Sequence, residues 1–244
     1  MEDGKPSLAS DARQFAQALE VGMDSVTKLQ GGLYVAYGKR CMDFTLAAVG
    51  LLVLGIPVVV LGLMIGLMEG SPVLFRQKRV GRHGELFTIY KFRTMTRRAT
   101  PGSSITVSGD ARVTGLGKWL RRLKLDELPQ LLNVVKGDMS FVGPRPDVPG
   151  YMDRLQGAEA RVRELRPGIT GPASLAFRNE EALLARAADP VAFNDQVLFP
   201  EKVRLNLRYM ENVSLVSDLG YILETILPAR EEAASPLLDC QASR

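Results

Sequence analysis

Three observations predict an α+β chain: a re-entrant membrane helix-hinge-helix, then a mostly helical domain carrying a short β-hairpin and interfacial amphipathic helices. Phe44 to Met68 holds no charged residue, and at about 25 residues it exceeds the roughly 20 that span a hydrocarbon core as a helix. Val73 to Phe75 and Leu86 to Tyr90 are short apolar pieces separated by a turn near Gly81 to Gly84, the pattern of a hairpin. Leu116, Trp119, Leu120 and Leu123 recur at helical spacing, as do Leu215, Leu219, Ile222, Leu223 and Ile226.

The apolar run is read as re-entrant from its flanks and its middle. Lys39 and Arg40 precede it, and Arg76, Lys78, Arg79 and Arg82 follow it, so both ends carry the positive charge that marks the cytoplasmic side. Pro57 lies near the centre, beside Gly55, where a proline removes a backbone hydrogen bond and clashes with the preceding turn. Two half-helices of about 12 residues, each about 18 Å long, are too short for a core about 30 Å thick and can return through one leaflet. A kinked spanning helix is the competing reading.

Composition sets the remaining bounds. With 46% hydrophobic and 24% charged residues the 244-residue chain is built for a packed core, which excludes disorder. Its net charge of +4 suits anionic partners without choosing among them. Cys41 and Cys240 form neither a zinc pattern nor a disulfide framework, so a reduced setting is expected. Residues 1 to 31 contain no apolar stretch of the secretory kind. Phe15, Leu19, Met23 and Val26 mark a short amphipathic helix there. The expected divisions are an N-terminal segment 1–37, the membrane helix 38–70, a catalytic domain 71–229 and a polar tail 230–244.

The second strand runs on into Tyr90, Lys91, Phe92, Arg93, Thr94 and Met95. Alternation puts Lys91 and Arg93 on one face, placed either to meet a polyanion or as a solvated basic edge. Residues 97 to 110 have turn composition and read as a mobile loop, with a lid one possible use. In the segment 116–125 a tryptophan on the apolar face is ringed by Lys118, Arg121, Arg122 and Lys124, which suits a helix in the headgroup plane. Nucleic-acid or calmodulin-like contact uses the same pattern, but the neighbouring apolar run favours a membrane and argues against a nucleic-acid binder.

Asp126 and Glu127 form an adjacent acidic pair directly after these cations. Asp126 is placed to cap a second helix with Pro129 in its first turn, and capping alone would account for it. Catalysis is the sharper reading, because His83 is the only histidine and sits in the glycine turn, leaving carboxylates to carry any acid, base or nucleophilic step. A carboxylate beside several cations stays ionised at neutral pH, binds divalent metal and attacks phosphorus. Downstream, Arg145 stands between Pro144 and Pro146, a stiff turn that fixes a guanidinium for phosphate. Arg166 to Pro172 makes a second stiff turn.

Taken together, Lys39-Arg40 with Asp43, Tyr90 to Met95, Leu125 to Leu131, Lys136 to Pro146 and Arg166 to Gly171 resemble the monotopic phosphoglycosyl transferases, also called bacterial sugar transferases. The resemblance runs from about Lys39 to Leu227 and implies an enzyme on the cytoplasmic face of the bacterial inner membrane. It implies transfer of a phosphosugar from a UDP-sugar to polyprenyl (undecaprenyl) phosphate, with release of UMP, as the first membrane step of a glycan. Asp126 is then the nucleophile of a ping-pong reaction, Glu127 its helper in metal binding or deprotonation, and Mg2+ a cofactor held by the pair. Lys91, Arg121 and Arg145 fall where the family places phosphate-binding cations. Arg40 and Asp43 fall where it anchors the re-entrant helix near lipid headgroups.

The departures from the pattern matter as well. Ile56 precedes the hinge proline where the family often has serine, and Pro172 to Asn179 lacks a tryptophan many members carry, so the sugar stays open. No N-terminal multi-span domain is seen, the mark of the small catalytic-core form. A basic membrane adaptor without catalysis is the alternative of another class, and a homo-oligomer is compatible with everything above.

Overall fold

The computed structural model describes residues 33–96 and 110–227. The amphipathic segment at Phe15 to Val26, the loop 97–109 and the tail lie outside the described residues. The uncharged run becomes α1, Lys39–Glu69, a single helix of 31 residues that follows a π-helical stretch at Tyr34–Gly38. At 1.5 Å per residue it is about 46 Å long. The two half-helices expected on either side of Pro57 are joined without a break in the helix at the proline. Partly buried Leu54 and Val58 pack on the domain on either side of Pro57, where one backbone hydrogen bond is lost.

α1 is fastened to the rest of the protein at both ends. Near its start, Ala47 and Leu51 pack with Phe87, Ile89, Leu131, Val134 and Met139. Near its finish, Ile65 packs with Phe92 and Leu120. The opposite face, with Phe44, Val49, Leu52, Ile56, Val60, Leu63 and Leu67, is exposed. By length and composition this helix is long and apolar enough to cross a membrane.

β1 (Leu74–Val80) and β2 (Leu86–Phe92) pair antiparallel, with Gln77 opposite Ile89, as the alternation predicts. Met95 and Val113 then bridge antiparallel. The basic amphipathic segment forms α2, Gly115–Arg122, capped by the Thr114 hydroxyl. Leu120 is buried while Trp119 and Leu123 are exposed. This helix ends three residues earlier than periodicity suggests, because Lys124 turns left-handed at φ 57°.

A 3-10 turn, Leu125–Gln130, carries the acidic pair and leads into α3, Leu131–Lys136. Asp126 lies inside the first turn with no capping hydrogen bond, so the expected N-cap is not formed. Asn133 ties α3 to β2: its Oδ1 accepts from the Tyr90 N–H at 3.1 Å, and its Nδ2 donates to the Thr88 carbonyl at 2.8 Å. Asn133→Ala strands two backbone groups in the core, and we expect it to lower unfolding free energy by about 2–4 kcal/mol, read as a reduced denaturation midpoint.

β3 (Ser140–Val142) and β4 (Gly168–Thr170) form a short parallel pair that joins the two stiff turns. A side chain at Gly143 would collide with the Arg166 carbonyl oxygen, so glycine alone permits this approach. The chain then builds α4 (Pro172–Ala176), α5 (Glu180–Arg186), α6 (Pro190–Phe193), α7 (Phe199–Glu211) and α8 (Leu215–Ile226). The last two are the helices expected between Leu198 and Leu227. Asp218 of α8, fully buried, receives Lys39 Nζ at 2.5 Å, Tyr34 Oη at 2.6 Å and Tyr209 Oη at 2.5 Å. This knot binds the start of α1 to the C-terminal helices.

Candidate active site

The 3-10 turn is short and stiffened by Pro129, so Asp126 and Glu127 emerge side by side from a fixed backbone. β2 lies against this turn and supplies Lys91, whose Nζ sits 2.8 Å from Glu127 Oε1. The proline-bracketed turn after β3 supplies Arg145, whose Nη2 sits 2.6 Å from the same oxygen. Arg121 at the end of α2 donates from Nε to Thr94 Oγ1 at 3.0 Å and lies 3.5 Å from Glu181 through Nη1. Lys91 and Arg145 thus converge on Glu127, while Arg121 holds Thr94 and Glu181 and acts on Asp126 through its charge alone.

Electrostatics separate the two acids. Burial opposes the charge on Glu127, but Arg145 and Lys91 overcome it and hold the carboxyl well below the usual range. Asp126 moves the other way. Only 8% exposed, its carboxyl is pushed up by burial and then by Glu127, against the pull of Lys91, Arg121 and Lys124. Burial and then the Glu127 charge thus outweigh the nearby cations at Asp126. Burial pulls the Lys91 ammonium down, helped by Arg145 and resisted by Glu127.

Three expected residues have different places. Arg93 is turned away from the acidic pair: its Nη2 donates to the carbonyls of Glu69 at 2.8 Å and Gly70 at 2.7 Å. The last carbonyls of a helix have no partner within it, and Arg93 caps α1. Arg40 does the same for α3, donating to Val134 at 2.6 Å and Val135 at 2.7 Å. Gly137, at φ 94°, leaves room for that guanidinium. Asp43 accepts from the Phe141 N–H at 2.9 Å. Arg40 and Asp43 thus fasten the start of α1 to α3 and β3. Buried Pro146 offers its carbonyl to Arg79 Nη1 at 3.0 Å.

Sequence reading missed Asp147, next to Pro146. Burial pushes its carboxyl up to about 6, with Lys202 and Arg79 pulling it down and Glu180 pushing it up. A raised carboxyl binds its proton more tightly folded than unfolded, where its pKa is about 3.9. Its contribution to stability is full below about pH 4 and lost as pH rises through about 6. Asp147→Asn is therefore expected to raise the melting temperature above pH 7, with the gain vanishing below pH 5, in thermal unfolding across that range.

Among the described residues no group of three or more His, Cys, Asp or Glu side chains is gathered for a metal ion. Mg2+ does not require one, since it is commonly held by one or two carboxylates, waters and substrate phosphates. Asp126, and the Glu127 oxygen not taken by Lys91 and Arg145, fit that donor set.

The protein thus joins an apolar helix long enough to cross a membrane to a domain whose acidic pair meets Lys91 and Arg145. The profile of the family described as bacterial sugar transferase matches residues 34–230, and the chain belongs to that family. It is 38% identical over 189 residues to the "Uncharacterized sugar transferase EpsL" of Bacillus subtilis, covering 77% of this chain and 85% of that protein. It is 38% identical over 194 residues to the "UDP-glucose:undecaprenyl-phosphate glucose-1-phosphate transferase" of Caulobacter vibrioides, covering 77% and 68%. With the "UDP-N-acetylgalactosamine-undecaprenyl-phosphate N-acetylgalactosaminephosphotransferase" of Aeromonas hydrophila it shares 34% identity over 201 residues, covering 78% of this chain and 43% of that longer protein.

Proposed function

We propose that the protein transfers a sugar-1-phosphate from a UDP-sugar to polyprenyl (undecaprenyl) phosphate, releases UMP, and so starts a membrane-bound glycan. The observation that carries this reading is the division of labour within the acidic pair. Glu127 is bound to Lys91 and Arg145, while buried Asp126 accepts no hydrogen bond from the described residues. In the first step an ionised Asp126 oxygen attacks the phosphorus that carries the sugar. The bond from that phosphorus to the bridging oxygen breaks, and UMP leaves with the electron pair. In the second step an oxygen of polyprenyl phosphate attacks the aspartyl phosphosugar, freeing Asp126 and forming polyprenyl diphosphate sugar.

Glu127, held so firmly as an anion, is a poor proton acceptor at neutral pH. Its work is to position Lys91 and Arg145, which bind the donor diphosphate together with Arg121. Asp126 and Glu127 would hold Mg2+, which when bound neutralises the diphosphate. We place the catalytic face toward the cytoplasm of the inner membrane, with α1 entering and leaving through one leaflet and bending at Pro57. Support comes from the packing of both ends of α1 on the same domain, since a helix crossing to the far side would leave one end behind.

The test is to incubate the protein in lipid with Mg2+ and a panel of UDP-sugars, without polyprenyl phosphate, and weigh it intact. An adduct of one phosphosugar is expected. UMP formed only after polyprenyl phosphate is added, with no adduct, would replace the two-step route by direct displacement. No UMP from any donor would favour an adaptor that only binds acidic lipid.

A further inference from the structure

Next to the Glu127 clamp lies a second group of charges that the transfer steps leave unused. Asp147 is two residues beyond Arg145, so the two backbones are at most about 7 Å apart. The segment is pinned to β1, with the Asp147 carbonyl accepting from the Val80 N–H at 3.0 Å and the Pro146 carbonyl accepting from Arg79 Nη1 at 3.0 Å. Arg79 Nε is buried with no partner among the described residues. From the other side Lys202 of α7 meets Glu180 of α5 at 2.6 Å. Both act on Asp147, and Glu180 also acts on Arg145. Four separate elements thus bring two cations and two carboxylates to the edge of the phosphate-binding cations.

The charge balance points to the ligand. Lys91, Arg121 and Arg145 present the positive charge that a diphosphate needs, whereas a phosphate at the second group would meet two carboxylates. A neutral ring bearing hydroxyls is complementary, because each hydroxyl donates to a carboxylate and accepts from an ammonium or guanidinium. In a nucleotide sugar that ring is joined directly to the reacting phosphate, and the short span from Arg145 to Asp147 matches this connection.

Resting on the transfer reaction above, we propose that Asp147, Glu180 and Lys202, backed by Arg79, form the subsite for the sugar ring of the donor, and that Asp147 selects its hydroxyl pattern. A site built to hydrogen-bond a hydroxyl rejects analogues lacking it far more strongly than an apolar pocket does. The test uses the full chain in lipid vesicles containing polyprenyl phosphate and Mg2+, with UDP-glucose, UDP-galactose and their two N-acetylated counterparts, measuring UMP release for wild type, Asp147→Asn and Lys202→Gln. At least about a tenfold fall in kcat/KM on the preferred donor is expected, with a smaller fall on the others, so that the ratio between donors changes. Inhibition by UMP, which has no sugar, should stay within about twofold of wild type. An equal fall on all four donors, or a matching loss of UMP inhibition, would assign these residues a structural or phosphate-binding role and overturn the proposal. A wild type that releases no UMP from any donor would instead bring down the transfer reading, and this subsite with it. Because the two variants lie on different elements, agreement between them separates ring binding from a local folding defect.

Discussion

Asp126→Asn is expected to cut UMP release by roughly 10^4-fold or more, the scale seen when a nucleophile is removed, and to abolish the phosphosugar adduct in the intact mass. The substitution is nearly isosteric. It also removes a carboxylate that burial and Glu127 already disfavour, so the folded protein should be no less stable. An inactive protein with an unchanged or raised melting temperature is therefore the expected pairing. Appreciable activity in Asp126→Asn would take the nucleophile's role away from this residue. A drop in both activity and melting temperature would show that the side chain serves the fold.

Arg145→Ala should reduce kcat/KM for the nucleotide sugar by about 10^2–10^3-fold, the range for loss of one preorganised charge donor at a reacting phosphate. The effect has two sources. The diphosphate loses a guanidinium held by Pro144 and Pro146, and Glu127 loses the stronger of its two partners. Freed in part, Glu127 becomes easier to protonate, so the remaining activity should fall off at a higher pH than in wild type. Lys91→Met should show the same shift more weakly, since Lys91 ranks second among the cations holding Glu127 down. The measurement is initial UMP release against donor concentration across pH, and an unchanged donor dependence would exclude Arg145 from phosphate binding.

The hairpin was legible because alternation and a glycine turn are local signals, and β1 and β2 pair antiparallel around that turn. The helices near the C-terminus were legible for the same reason. Continuity through Pro57 was not, because the packing of Leu54 and Val58 on either side of the proline comes from distant segments. Asn133 could have been noticed as a lone amide in an apolar run, but its partners on β2 could not. Asp147 and Asp218 gave no signal at all, since each is one carboxylate among many until the fold surrounds it with cations or phenols.

The sequence by itself determined that an uncharged helix anchors a domain bearing one acidic pair, several nearby cations and two stiff turns, because these are properties of composition and short-range spacing. Only the tertiary structure decided which cations meet which acid. Lys91 reaches Glu127 across 36 residues and Arg145 across 18, while Arg93, only two residues from Lys91, caps a helix end instead. Pairing of this kind depends on how β2, the 3-10 turn and the proline-bracketed turn pack together. Since a charge in a folded protein takes its pKa from burial and from whatever lies within a few ångströms, the unequal characters of Asp126 and Glu127 exist only once that packing is in place.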